Sequence, residues 1–140
     1  MTPRKDSLRA RTCNRDDAEA RLKQARKFLE VAEVAASEGD DPAGADVAAS
    51  NAILAAIAAS DAACCAALGR RSRGESHVDA AVLLEQIVPG GKDAANSFRR
   101  LISVKDVADY GIESVSGKKL ESVLKQAGAL VAFAEDIMRR

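Results

Sequence analysis

Residues 42–68, with the sequence PAGADVAASNAILAAIAASDAACCAAL, decide the fold of this 140-residue chain. Almost half of them are alanine, the residue with the highest helix propensity. Asp41 and Pro42 are typical of a helix start, and Gly69 is typical of a helix end. A helix with small, mostly apolar residues on every side has to be covered by other helices. The stretch therefore predicts the central helix of an all-α protein.

Amphipathic segments lie on both sides of this stretch. In residues 15–38, and again from Leu120 to Ile137, apolar residues recur every three or four positions, as on one face of a helix. Two shorter helices are expected over about residues 77–88 and 92–108, separated by the helix breaker Pro89-Gly90-Gly91. No run with a period of two residues indicates a strand.

These segments together predict an up-and-down bundle of four to five helices. Residues 15–140 form it as a single domain, which is an ordinary length for one hydrophobic core. Residues 1–14 are expected to be a flexible tail.

The overall charge gives no reason to expect non-specific binding to nucleic acid, because 21 basic residues balance 21 acidic ones. No apolar run reaches the length of about 18 residues without polar interruption that a membrane span needs, and no signal peptide is evident. The odd set of cysteines, Cys13, Cys64 and Cys65, is interpreted as reduced thiols. These features predict a cytoplasmic protein that does not bind membranes.

The strongest chemical signal is the single histidine of the chain, His77, which follows the arginine cluster Arg70, Arg71 and Arg73. The start of a helix favours anions, and arginine guanidinium groups fit phosphate in bidentate fashion. A histidine can transfer a proton while an arginine stabilises charge on phosphorus. The cluster therefore fits metal-independent cleavage of RNA. The plainer interpretation is a capping histidine after a solvated turn.

A second candidate is Asp61, which interrupts the apolar face of the central helix. A buried carboxylate needs a partner. It is expected either to form a structural salt bridge, with an arginine of the following loop as one choice, or to orient Arg71 or His77. Asn51 lies close to the same face and is included as an anion-binding candidate. The sequence has no glycine-rich phosphate loop and no metal-binding spacing, so neither a cofactor nor a metal is expected.

Three features resemble the HEPN superfamily (higher eukaryotes and prokaryotes nucleotide-binding), in particular its small bacterial members. They are the alanine-rich helix with an inward acidic residue at 58–63, the Arg-(x4–6)-His pattern from Arg71 to His77, and the segment Lys105-Asp-Val-Ala-Asp-Tyr-Gly111 before a long last helix. The resemblance covers about residues 15–138. This sequence departs from the family in two ways. Asp61 occupies a position where the family more often has glutamate, and alanine, isoleucine and serine replace the aromatic and histidine residues that the family often has in the central helix.

The resemblance implies a helical bundle that commonly forms a homodimer with arginine and histidine from both protomers in one cleft. For an active member it implies an endoribonuclease, as in the toxin of a toxin–antitoxin pair or another stress effector, with His77, Arg71 and Asp61 at the site. The alternative is a non-catalytic module, in which Arg70, Arg71 and Arg73 dock a nucleotide or a nucleotidyltransferase-type antitoxin partner. A purely structural dimer is the third possibility.

Overall fold

The computed structural model describes residues 10–38, 41–73, 77–110 and 115–140. Its elements in chain order are β1 (Ala10–Thr12), α1 (Arg15–Ala36), α2 (Pro42–Leu68), β2 (Arg70–Ser72), α3 (His77–Glu85), α4 (Gly91–Tyr110) and α5 (Gly117–Arg139). The helical prediction is confirmed, although α3 ends three residues earlier than expected. Gly39, Ser76 and Gly111, which were expected near helix ends, lie outside the described residues.

Short polar side chains cap the N-termini of three helices. Asn14 caps α1 in a reciprocal capping box with Asp17, Asp41 caps α2 just before Pro42, and Ser116 caps α5. At the other end of α2, Gly69 adopts a left-handed conformation with φ of 71°. Glycine adopts this conformation without steric cost, and the chain turns there directly into β2.

The alanine-rich helix α2 is the centre of the bundle, as predicted. It packs against α1, α4 and α5, and its buried residues lie on several sides of the helix. Because most of these residues are alanine, most of the larger core side chains come from neighbouring helices, among them Phe98, Leu101 and Leu130. Small side chains on one helix allow its neighbours to approach closely.

Helix α2 is also long and apolar enough to cross a membrane, judged by length and composition alone. However, 67% of its most apolar 18-residue window is buried inside the bundle. A buried core helix of a soluble protein passes the same test, so this property is weak evidence for a membrane span.

The absence of strands was a wrong prediction. β1 pairs with β2 in an antiparallel ribbon, with Arg11 opposite Arg71 and Thr12 opposite Arg70. The backbone N–H of Cys13 extends the pairing by donating to the carbonyl of Gly69 at 3.0 Å. Each strand has only three residues, too few for a period of two to be recognised. Residues 10–13, assigned to the tail from sequence, are therefore tied to the end of α2.

The prediction of three reduced thiols was also wrong, because Cys13 and Cys65 form a disulfide bond. The two residues are 52 positions apart, and the ribbon that brings them together has no sequence signature. Cys64 is a free, buried thiol, as expected. Disulfides persist mainly in oxidising compartments, so the thiol argument for a cytoplasmic location no longer holds.

The close packing of α2 leads to a test of the fold. We expect Ala59→Leu to lower the free energy of unfolding by about 1–3 kcal/mol, because Ala59 is fully buried and added side-chain atoms have no space. The control is Ala67→Leu, at an exposed position of the same helix. Thermal unfolding followed by circular dichroism measures both. Equal melting temperatures for the two variants would contradict close packing around Ala59.

Candidate functional site

Asp61, near the C-terminal end of α2, is the centre of the candidate site. Its side chain is 9% exposed, and it accepts two contacts from Arg21 of α1 on the same oxygen. Arg21 Nη2 lies 2.8 Å and Arg21 Nε lies 3.0 Å from Asp61 Oδ2. Asp61 therefore forms the buried salt bridge that was one of the two interpretations of this residue.

Arg71 of β2 is the second cation beside Asp61. Its Nη1 atom lies 3.8 Å from Asp61 Oδ2, at the long end of the range for an ion pair. The loop arginine expected to pair with Asp61 is thus present, but Arg21 makes the shorter contacts. The Arg71 side chain is about one-third exposed, so part of it remains accessible to solvent.

The electrostatics of Asp61 reflect two opposing effects. Burial raises the pKa of this carboxyl above its ordinary value, because ionisation is unfavourable away from water. The charge and hydrogen bond of Arg21 limit that rise, followed by the charges of Arg71 and His77. Three groups from three different elements, Arg21, Arg71 and His77, therefore lower the pKa of this carboxyl.

His77 is the first residue of α3, at the position where a helix start was predicted. Its ring is half-buried and meets Phe98 of α4 edge-on, with the ring centroids 6.1 Å apart. His77 is also close enough to Asp61 to influence its pKa. Arg71 and His77 therefore both act electrostatically on Asp61.

A cavity of about 340 Å³ lies beside this region, between β1, β2 and the first turns of α1. Three arginines line it: Arg11, Arg21 and Arg71. Its other lining residues are Thr12, Cys13, Asp17 and Ala20. The volume falls within the usual range for small-ligand sites, and the arginines give it the donors that an anion needs.

The remaining predicted residues lie farther from this centre. Arg70 donates to Gln86 Oε1 at 3.0 Å, and the alternation of a strand turns it away from Arg71. Arg73 is exposed and lies with Arg11 at a broad, shallow surface depression. Asn51 donates to the carbonyl of Val47 and is separated from Asp61 by about 15 Å along the helix axis. Asn51 therefore cannot share a phosphate with Asp61.

Cys64 is close to the site but unsuited to chemistry. Burial, followed by the negative charge of Asp61, raises the pKa of its thiol to about 12. The reactive form of cysteine is the thiolate, which this environment disfavours. Among the residues that the structure describes, no group of three histidine, cysteine or acidic side chains is arranged to hold a metal ion.

Sequence reasoning missed Arg21 and Arg11. Arg21 is 40 residues from Asp61 and lies on an amphipathic helix among other charged residues, so no local pattern distinguishes it. Arg11 was assigned to the tail, and only the pairing of β1 with β2 places it opposite Arg71. Cys13, two residues after Arg11, is the one signal that could have located Arg11. A predicted disulfide from Cys13 to Cys65 would have placed Arg11 near the end of α2.

Comparison with known proteins adds no assignment: the chain matches no family model, and no curated protein is significantly similar to it.

Proposed function

We propose that this protein is a metal-independent endoribonuclease in which Arg71 and His77 act on the phosphodiester. The observation that carries the proposal is the ion pair between Arg71 and the buried Asp61, whose pKa His77 also lowers, beside a cavity lined with arginines. The resemblance to the HEPN superfamily in the order of acidic helix, arginine and histidine supports it.

The reaction needs only groups that the RNA and this site supply. The ribose 2′-oxygen attacks phosphorus, and the bond from phosphorus to the 5′-oxygen breaks, which leaves a cyclic phosphate. His77 either takes the proton of the 2′-hydroxyl or gives a proton to the leaving 5′-oxygen, and water exchanges the other proton. Arg71 stabilises the negative charge that develops on the phosphate oxygens. Asp61 acts as a positioning residue, because it holds Arg71 without facing the cavity.

The same resemblance supports a homodimer, with the site at a cleft shared between protomers, and a role as a toxin or stress effector. A nucleotidyltransferase-type protein is the corresponding antitoxin partner. The cytoplasm is proposed as the location on the ground of RNA alone, because the Cys13–Cys65 disulfide is more typical of an oxidising compartment.

The test is cleavage of a fluorescent oligoribonucleotide library by the purified protein in EDTA. We expect His77→Ala to lower the cleavage rate by about 10²–10⁴-fold, the usual contribution of a general acid or base. Arg71→Gln should lower it as well, whereas the exposed Arg100→Gln on α4 should leave it unchanged. Circular dichroism verifies that each variant is folded. Cleavage that persists in folded His77→Ala would refute the assignment.

A non-catalytic binding module is the second candidate, and one observation favours it. The cavity where the arginines converge is lined by no histidine. Anion docking there would need neither proton transfer nor His77. Co-purification with a nucleotide or a nucleotidyltransferase-type protein, together with no cleavage by the wild type, would support this function over the first.

A further inference from the structure

The arrangement of arginines around the cavity contains an unfavourable contact. Arg11 and Arg71 are direct partners across the β1–β2 ribbon, and both line the cavity. Like charges directly opposite each other on paired strands destabilise the pair. An oxyanion between the two guanidinium groups would convert this repulsion into two charge-assisted contacts.

The remaining walls of the cavity also suit an anion. Arg21 adds a third guanidinium from α1, and Thr12 contributes a hydroxyl group. Among the described residues that line the cavity, the one carboxylate, Asp17, already accepts the backbone N–H of Asn14 in the helix cap at 2.9 Å. Three arginines against one aspartate give these described lining residues a net positive charge.

Asp61 prepares two of these arginines for binding. It contacts Arg21 and Arg71 but does not itself line the cavity. Arginine side chains lose considerable rotamer freedom when they are fixed. Because Asp61 already restricts both, a ligand would meet guanidinium groups that are partly ordered before it binds.

The position of the remaining arginine, Arg11, depends on the disulfide bond. Arg11 is two residues before Cys13, and Cys65 is one helical turn after Asp61. The bond therefore joins the strand that carries Arg11 to the turn of α2 that carries Asp61. A ribbon of three residues per strand is marginal by itself in water, so the covalent link keeps Arg11 opposite Arg71.

We propose that this cavity binds a phosphate group, such as the phosphomonoester of a nucleotide, and that the Cys13–Cys65 disulfide keeps the site assembled. The site deepens and rests on the second of the functions proposed above, anion docking, and needs neither cleavage nor a partner protein. Reduction by a dithiol is therefore expected to disrupt the site. Two electrons and two protons convert the Cys13–Cys65 disulfide to two thiols, and the dithiol becomes a cyclic disulfide.

Isothermal titration calorimetry of the oxidised protein tests the binding. We expect inorganic phosphate and adenosine 5′-monophosphate to bind, and adenosine, which has no phosphate, not to bind. Arg11→Gln should weaken phosphate binding about tenfold or more, through loss of a charged hydrogen-bond donor. Arg100→Gln is the matched control and should bind as the wild type does. Binding of adenosine as tight as that of its monophosphate, or wild-type affinity in Arg11→Gln, would overturn the site.

The disulfide requirement has a separate readout that does not depend on a folded reduced chain. Binding and disulfide formation must stabilise each other if the site exists only in the oxidised protein. Saturating inorganic phosphate should therefore raise the dithiothreitol concentration needed to reduce half of the protein. In Arg11→Gln the shift should largely disappear. An unchanged half-reduction point in the wild type would refute the link between the disulfide and the site. Phosphate binding by a wild type that does not cleave RNA would keep this site and refute the ribonuclease, which separates the two proposals.

Discussion

Cys13→Ser is expected to lower the free energy of unfolding by about 4 kcal/mol. The disulfide closes a ring between residues 52 positions apart, and a ring of this size removes considerable entropy from the unfolded chain. Its loss also releases β1 from the end of α2. Guanidinium chloride unfolding of the oxidised protein, with and without the substitution, gives the difference.

Two comparisons isolate the contribution of the disulfide. The double variant Cys13→Ser/Cys65→Ser should be close to the single variant, because either change breaks the same bond. Cys64→Ala, next to the disulfide, should cost only about 1 kcal/mol, as expected for a small buried group. A Cys13→Ser protein with the wild-type unfolding midpoint would show that the bond does not constrain the chain.

Arg21→Gln is the second substitution with a large expected effect. It removes the closest cation from Asp61, whose side chain is only 9% exposed. Leaving a buried charge without its partner typically costs about 3–5 kcal/mol. Because Arg21 is itself 29% exposed and Arg71 remains at 3.8 Å, we expect about 2–3 kcal/mol at neutral pH. Urea unfolding measures this value.

The same helix supplies a matched control. Arg26 of α1 also bonds a carboxylate, that of Glu135, but the two side chains are 52% and 32% exposed. Such an exposed pair contributes about 0–1 kcal/mol, so Arg26→Gln should have a small effect. If both variants lost the same stability, burial of Asp61 would not be the cause.

The effect of Arg21→Gln should also depend on pH. Burial already raises the pKa of Asp61 in the folded state, and loss of Arg21 raises it further. The folded variant then binds a proton at a pH where the unfolded chain does not, so its stability falls as pH rises. The stability deficit should be complete above the pKa of Asp61 in the variant. It should shrink as pH falls from that pKa to the lower pKa of Asp61 in the wild type, because a neutral carboxyl needs no cation. A deficit that is constant across this range would contradict the assignment to Asp61.

How well each feature of the fold and site could be predicted depends on how far apart in the sequence the interacting residues are. The position of α2 follows from its own composition, and the flanking helices follow from the spacing of apolar residues along them. Asp61 was recognisable because a charge on an apolar face is a local anomaly. Arg71 follows Asp61 closely in the chain, so an ion pair between the two could be suggested from sequence.

The features that sequence reasoning missed depend on contacts between distant residues. The bond between Cys13 and Cys65, the pairing of Arg11 with Arg71 and the salt bridge between Arg21 and Asp61 each join distant parts of the chain. The two strands are too short to have a pattern, and Arg21 resembles any exposed helix residue. These long-range contacts also build the phosphate cavity, which explains why it was not predicted.

The apolar character of α2 has a consequence for the fate of unfolded molecules. Its most apolar 18-residue window has a mean hydropathy of 1.7, and the bundle hides most of this window. When the tertiary structure is lost, this segment becomes exposed. Chaperones, proteases and lipid bilayers then meet a stretch as apolar as a membrane span. Substitutions that destabilise the bundle should therefore reduce cellular abundance through aggregation and degradation, even where the candidate site is intact.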